Sequence, residues 1–169
     1  MYEIGEFIVY GNEGVCEVEN ISEINIPGTN KTNNYYTLKP MHGNGTVFIP
    51  VNTSIFMRTI ITPEEIQEII KDIPLIDDSE YNLKNARVLQ EHYKKLLNTH
   101  NCIDTLTVMI SLNNKKAELL KNSKKLGQIE EKFFRISKEL IENEFSIVLG
   151  MSKEDVETYI KDNILVNYA

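Results

Sequence analysis

The sequence predicts an α+β fold: a small antiparallel β barrel over residues 1–61, then an all-α bundle of about five helices over 62–169. Three observations carry this. Short apolar runs at 7–10, 35–40 and 45–50 are separated by Gly- and Asn-bearing turns, as in a string of short strands. Thr62-Pro63-Glu64-Glu65 is a helix start. Beyond it apolar residues recur at three and four, the helical period.

In the first part, 7–10 is a short strand that runs into a turn at Asn12-Glu13-Gly14. The second strand is longer. Cys16 and Val18 share one face, as do Ile24 and Ile26, with Asn20 and Ser22 between the two pairs, and Ile21 falls on the other. One continuous period cannot satisfy all of these, so a bend or bulge is expected near Glu19 and Asn20. Pro27-Gly28-Thr29-Asn30 is the next loop, and Gly43-Asn44-Gly45 is a hairpin signal because Gly and Asn tolerate positive φ. Met57-Arg58 closes the series. Four or five short antiparallel strands in about sixty residues suggest a strongly bent SH3-like or Tudor-like barrel.

In the second part, Thr62 can cap, Pro63 supplies the fixed φ of a first helical position, and Glu65 completes a capping box. That helix should end before Pro74. A second helix is expected from about Asn82 to Asn98, burying Val88, Leu89, Tyr93, Leu96 and Leu97. A third should run from about Ile103 to Leu120, with Ile103, Leu106, Ile110 and Leu119 inward. The fourth carries Leu126, Ile129, Phe133, Ile136, Leu140 and Ile147 as its main stripe. Phe134, Ile141, Phe145 and Val148 form a second, so it should pack on more than one neighbour. Gly150 is a C-cap candidate, and Ser152 opens a last helix.

The net charge of −7 argues against coating nucleic acid by bulk attraction. The charge is uneven, however: residues 82–138 carry net +7 between acidic stretches on both sides. That island is either a solvated helix face or an anion-facing surface. Cys16 and Cys102 share no ligand spacing and suit a reducing cytoplasm as small buried hydrophobes. Glu3 and Glu6 lie where a secretory leader would be basic, and no apolar run is long enough to span a membrane. Neither His42, His92 nor His100 has a carboxylate or thiol at ligand spacing. The glycines at 43 and 45 precede no helix with Lys, and no nucleophile-elbow pattern occurs. No catalytic group, metal, cofactor or small-molecule substrate is therefore expected. The chain reads as a binding protein.

Residues 4–18, IGEFIVYGNEGVCEV, then Tyr35-Tyr36-Thr37-Leu38, Val47-Phe48-Ile49-Pro50-Val51 and Met57-Arg58, resemble the CarD family of bacterial transcription regulators. The same module resembles the polymerase-interacting domain of transcription-repair coupling factor. The resemblance is clear over residues 2–60 and rests mainly on the spacing of Gly5, Tyr10, Gly14 and Pro50. It implies that the β module grips the β subunit of RNA polymerase. It also implies that the helical module touches promoter DNA at the upstream edge of the bubble and stabilises the melted complex.

Two β-module positions that are arginine in some relatives fall near Ile24 and Phe48 here, so a polymerase contact would lean on strand addition and apolar packing. The competing reading, weighted slightly ahead, makes both barrel core. The tryptophan that many relatives wedge into the minor groove is missing; its position falls near Asn85 or Ala86, with Tyr81 close by. Lys84, Arg87, Lys94 and Lys95 remain as candidate phosphate contacts or as a solvated face. The resulting expectation is a cytoplasmic, non-enzymatic regulator that binds the polymerase β subunit and modulates the open promoter complex. The alternative is an adaptor on polymerase whose bundle binds another protein and not DNA.

Overall fold

The computed structural model describes residues 1–25, 27–28, 32–72 and 85–163. The chain divides into two compact units, Met1–Ile60 and Ile61–Ala169.

The first unit is a five-stranded antiparallel sheet: β1 (Phe7–Tyr10), β2 (Gly14–Asn25), β3 (Thr32–Pro40), β4 (Val47–Pro50) and β5 (Met57–Thr59), ordered β4-β3-β2-β1-β5. A single 3-10 turn, Gly11–Glu13, links β1 to β2, and Gly14 leaves it at φ 77°, a conformation that favours glycine. The expected bulge is present. Val18 pairs with Leu38 but Asn20 pairs with Thr37, so Glu19 is the extra residue. Before it Cys16 and Val18 face the core; after it Ile21, opposite Tyr36, does. Ile26 lies outside the described residues. β3 and β4 form the expected hairpin. Their pairing closes at Leu38 and Val47, however, so the loop is wider than a two-residue turn at Gly43–Gly45 would make it. Ile8, Cys16, Val18, Tyr36 and Leu38 form the centre of the core. The Tyr36 hydroxyl is satisfied by accepting from the Tyr2 N–H at 3.0 Å.

The second unit holds α1 (Pro63–Asp72), α2 (Ala86–Leu97), α3 (Cys102–Lys121), α4 (Gln128–Leu149) and α5 (Lys153–Asn163). α1 opens on the expected capping box: the Glu65 carboxylate accepts from the Thr62 N–H at 2.7 Å, and the Thr62 hydroxyl accepts from the Glu65 N–H at 3.2 Å. α2 begins later than expected. Asn85 is its N-cap, accepting from the N–H groups of Arg87 and Val88. Asn82 lies outside the described residues. Gly150 ends α4 at φ 63°, and the Ser152 hydroxyl accepts from the Asp155 N–H as α5 starts.

The stripe expectations need correction. Val88 and Ile103, expected inward, are 45% and 39% exposed. On α3 the inward side is broader than expected, adding Val108, Met109 and Leu112, because α3 packs against both α2 and α4. On α4 neither stripe is buried throughout: Phe133 of the first and Ile141 and Phe145 of the second are buried, whereas Ile136, Leu140 and Ile147 of the first and Phe134 and Val148 of the second are half-buried. Four buried positions there are polar, Glu130, Ser137, Asn143 and Glu144, which shifted the apparent apolar face. Ser137 donates to the Phe134 carbonyl at 3.0 Å, and the Glu144 carboxylate accepts from the Ile61 N–H at 3.1 Å.

Cys16 and Cys102 are both buried and form no disulfide with each other, and burial pushes the Cys16 thiol up to about 11. Neither should react with a thiol reagent near neutral pH until denaturant is added. Fast labelling of Cys16 in native buffer would show instead that the sheet opens readily.

Candidate functional site

Strand pairing decides which side chains share a face. Asn20, Ser22 and Ile24 of β2 lie on the same side as Asn33, Tyr35 and Thr37 of β3 and Phe48 and Pro50 of β4. This is the side away from Tyr36, Leu38 and Ile49. The bulge is what puts Ile24 there: without the extra residue, the second half of β2 would present the opposite set. Phe48 is 62% exposed and Ile24 38%. The weighting that made them barrel core is therefore overturned; both are surface residues, brought onto one face.

β4 is also an edge strand. Among the described residues it pairs only with β3, leaving one row of backbone donors and acceptors for a further strand. The edge is short and ends on Pro50, which limits how far a partner can pair. Seven of the eleven large apolar side chains exposed among the described residues lie in this smaller unit. Ile4, Met41, Ile55 and Phe56 were missed by the sequence reading. Ile55 and Phe56 follow Asn52-Thr53-Ser54 directly, and an apolar pair placed straight after a polar turn was the available signal. Exposed large apolar side chains concentrated in one small unit are available to an interaction surface.

The candidate anion contacts are arranged differently. Lys84 lies outside the described residues, as does Tyr81. Asn85 spends its side-chain oxygen on the α2 cap, and Ala86 is exposed in the first turn with no bulk to insert. Arg87 pairs with Glu91 at 3.4 Å, one turn on, so a phosphate would compete with that carboxylate. Lys94 and Lys95 are exposed in the last turn, where they also suit the negative end of the helix dipole. At 3.6 residues per turn, Arg87, Lys94 and Lys95 share the solvent face opposite Leu89 and Tyr93. Among the described residues no cluster of side chains could hold a metal ion, and no helix is long and apolar enough to cross a membrane.

Residues 2–61 match the family described as the CarD-like/TRCF RID domain. Among curated proteins, none matches this chain. The matched span ends one residue past the boundary of the first compact unit, so the bulged sheet, its β4 edge and the exposed pair Ile24 and Phe48 all belong to it. Residues 2–61 of this chain are a CarD-like/TRCF RNA polymerase-interacting domain.

Proposed function

We propose that the protein is a non-enzymatic, cytoplasmic regulator of bacterial transcription that docks on the β subunit of RNA polymerase. The docking surface is the β4 edge together with the outer face that carries Ile24 and Phe48. The helical unit then meets promoter DNA near the upstream edge of the bubble and alters the stability of the open complex. The observation that carries this reading is Phe48: a large aromatic, mostly exposed, on an edge strand of a polymerase-interacting domain. Backbone pairing would supply affinity there and the outward side chains specificity.

The test is a pull-down with purified polymerase and its isolated β lobe. Residues 1–61 carry their own core and should be retained by both. Retention of residues 62–169 in their place would overturn the docking assignment. A second reading keeps the docking but has the bundle bind another protein. It is favoured by the Arg87–Glu91 pair and by the absence of any tryptophan. Under it, adding the protein leaves open-complex lifetime unchanged on every promoter tried.

A further inference from the structure

The bulge at Glu19 divides the outer face of the sheet into two halves of different chemistry. Towards β1 and β5 the face is charged. Glu17 lies opposite Lys39, and Arg58, opposite Val9, falls on the same side. Lys39 also meets the Glu19 carboxylate at 3.9 Å. Beyond the bulge the charges stop. Among the described residues, no outward side chain of β2 after Glu19, of the stretch of β3 paired with it, or of β4 is charged. Glu23, the one carboxylate in that stretch of β2, is opposite Asn34 and points to the other side. None of the outward side chains in this uncharged half is buried. β4 itself, Val47–Pro50, has no charged residue to blunt its edge.

This matters for what can lie against the face. A strand added at β4 sets outward side chains of its own beside Phe48. A carboxylate or ammonium at that place would give up its water with no opposite charge to meet, because Lys39, the cation of the face on β3, is already engaged with Glu19. An aliphatic side chain loses nothing there and gains burial against the Phe48 ring. Uncharged polar groups are also served, since Ser22, Tyr35 and Thr37 place hydroxyls on the same half.

We infer that the polymerase strand received at β4 presents uncharged side chains, aliphatic or hydroxyl-bearing, to this half of the face, so that docking is neither steered by charge nor loosened by salt. The inference rests on the docking reading and names the chemistry of its partner. Charged contacts set association rate and salt dependence at an interface, and this half supplies none. It also sets selectivity: a polymerase with a carboxylate facing Phe48 is rejected, because that charge would be buried without a counter-ion.

The test is equilibrium binding of the full-length protein to DNA-free RNA polymerase of the same organism across a salt series, for the unaltered chain and for Phe48→Arg. The Kd of the unaltered protein should change by less than about threefold between about 0.1 and about 1 M salt, over which the screening length shrinks from about 10 to about 3 Å. A larger rise with salt would mean that ion pairs carry the docking, and would overturn the inference. Phe48→Arg should weaken binding at least about tenfold at every salt concentration, because it removes an aromatic anchor and offers a cation to an uncharged surface. Thermal melting controls for folding, and Phe48 is exposed, so the melt should not move. If Phe48→Arg instead binds as tightly as the unaltered protein or more tightly at low salt, and loosens as salt rises, a carboxylate faces that position. The inference then falls while the docking stands. If Phe48→Arg matches the unaltered protein at every salt concentration, or if the unaltered protein does not bind polymerase at all, the docking reading fails and the inference with it.

Discussion

Changing Ile24 and Phe48 together to Asp is expected to abolish retention on RNA polymerase and leave the protein folded. Both side chains point away from the core, so the substitutions should move stability by no more than about 0.5 kcal/mol each. Binding is another matter. A large apolar side chain buried on association contributes about 1.5–3 kcal/mol, and an aromatic anchor on an interface edge commonly exceeds about 2 kcal/mol. Losing two, and facing the partner with two carboxylates, should weaken binding by about a thousandfold or more, which is about 4 kcal/mol. Equilibrium binding to the isolated β lobe reads the effect, with thermal melting as the folding control. Unchanged affinity in a folded variant would remove the outer face from the interface. Phe48→Pro then separates the two components, since it takes away the side chain and one backbone donor of β4. If I24D/F48D binds and F48P does not, the edge alone carries the contact.

Much of the fold that carries the proposed docking surface was legible in the sequence, and the physical reasons differ by residue. The bulge near Glu19 could be read because apolar residues on β2 change parity between Val18 and Ile21, and only an extra residue reconciles them. The caps of α1, α4 and α5 could be read because capping chemistry is local: Thr62 with Glu65, Gly150, and Ser152 all act within three or four residues. What a strand pattern does not reveal is which of its two faces is covered. Ile24 and Phe48 look like core because they are apolar, and only the pairing of β2, β3 and β4 shows them opposite Tyr36 and Ile49. The same limit misled the reading of α4. Ser137 and Glu144 occupy deep positions because backbone groups satisfy them, and the Ile61 N–H that bonds Glu144 is 83 residues away in sequence. On α2, spacing located the exposed cations correctly. It did not reveal that Arg87 would pair with Glu91.

Phe145→Ala is expected to unfold much of the helical unit. Phe145 is fully buried in α4, in one cluster with Ile66 of α1, Leu106 and Ile110 of α3, and Val156 and Ile160 of α5. Four helices therefore meet around one ring. Phe145→Ala removes that apolar volume and leaves a cavity that helices joined by tight caps cannot easily close, at a cost of about 3–5 kcal/mol. A domain of this size is stabilised by about 5–15 kcal/mol in total. At about 4 °C per kcal/mol, the melting temperature of the helical signal should fall by at least about 12 °C. The sheet unit has a separate cluster around Ile8, Cys16, Tyr36 and Leu38, and no residue of that cluster belongs to the helical one. The variant should therefore still bind polymerase at full strength while losing its effect on the open complex, with lifetimes measured above the new transition returning to those of polymerase alone. Joint loss of helical signal and polymerase binding would mean that the two cores stand or fall together. A variant that melts normally would mean that the cluster collapses around the missing ring, and Ile141, which lies one turn before it on α4, would then be the position to vary.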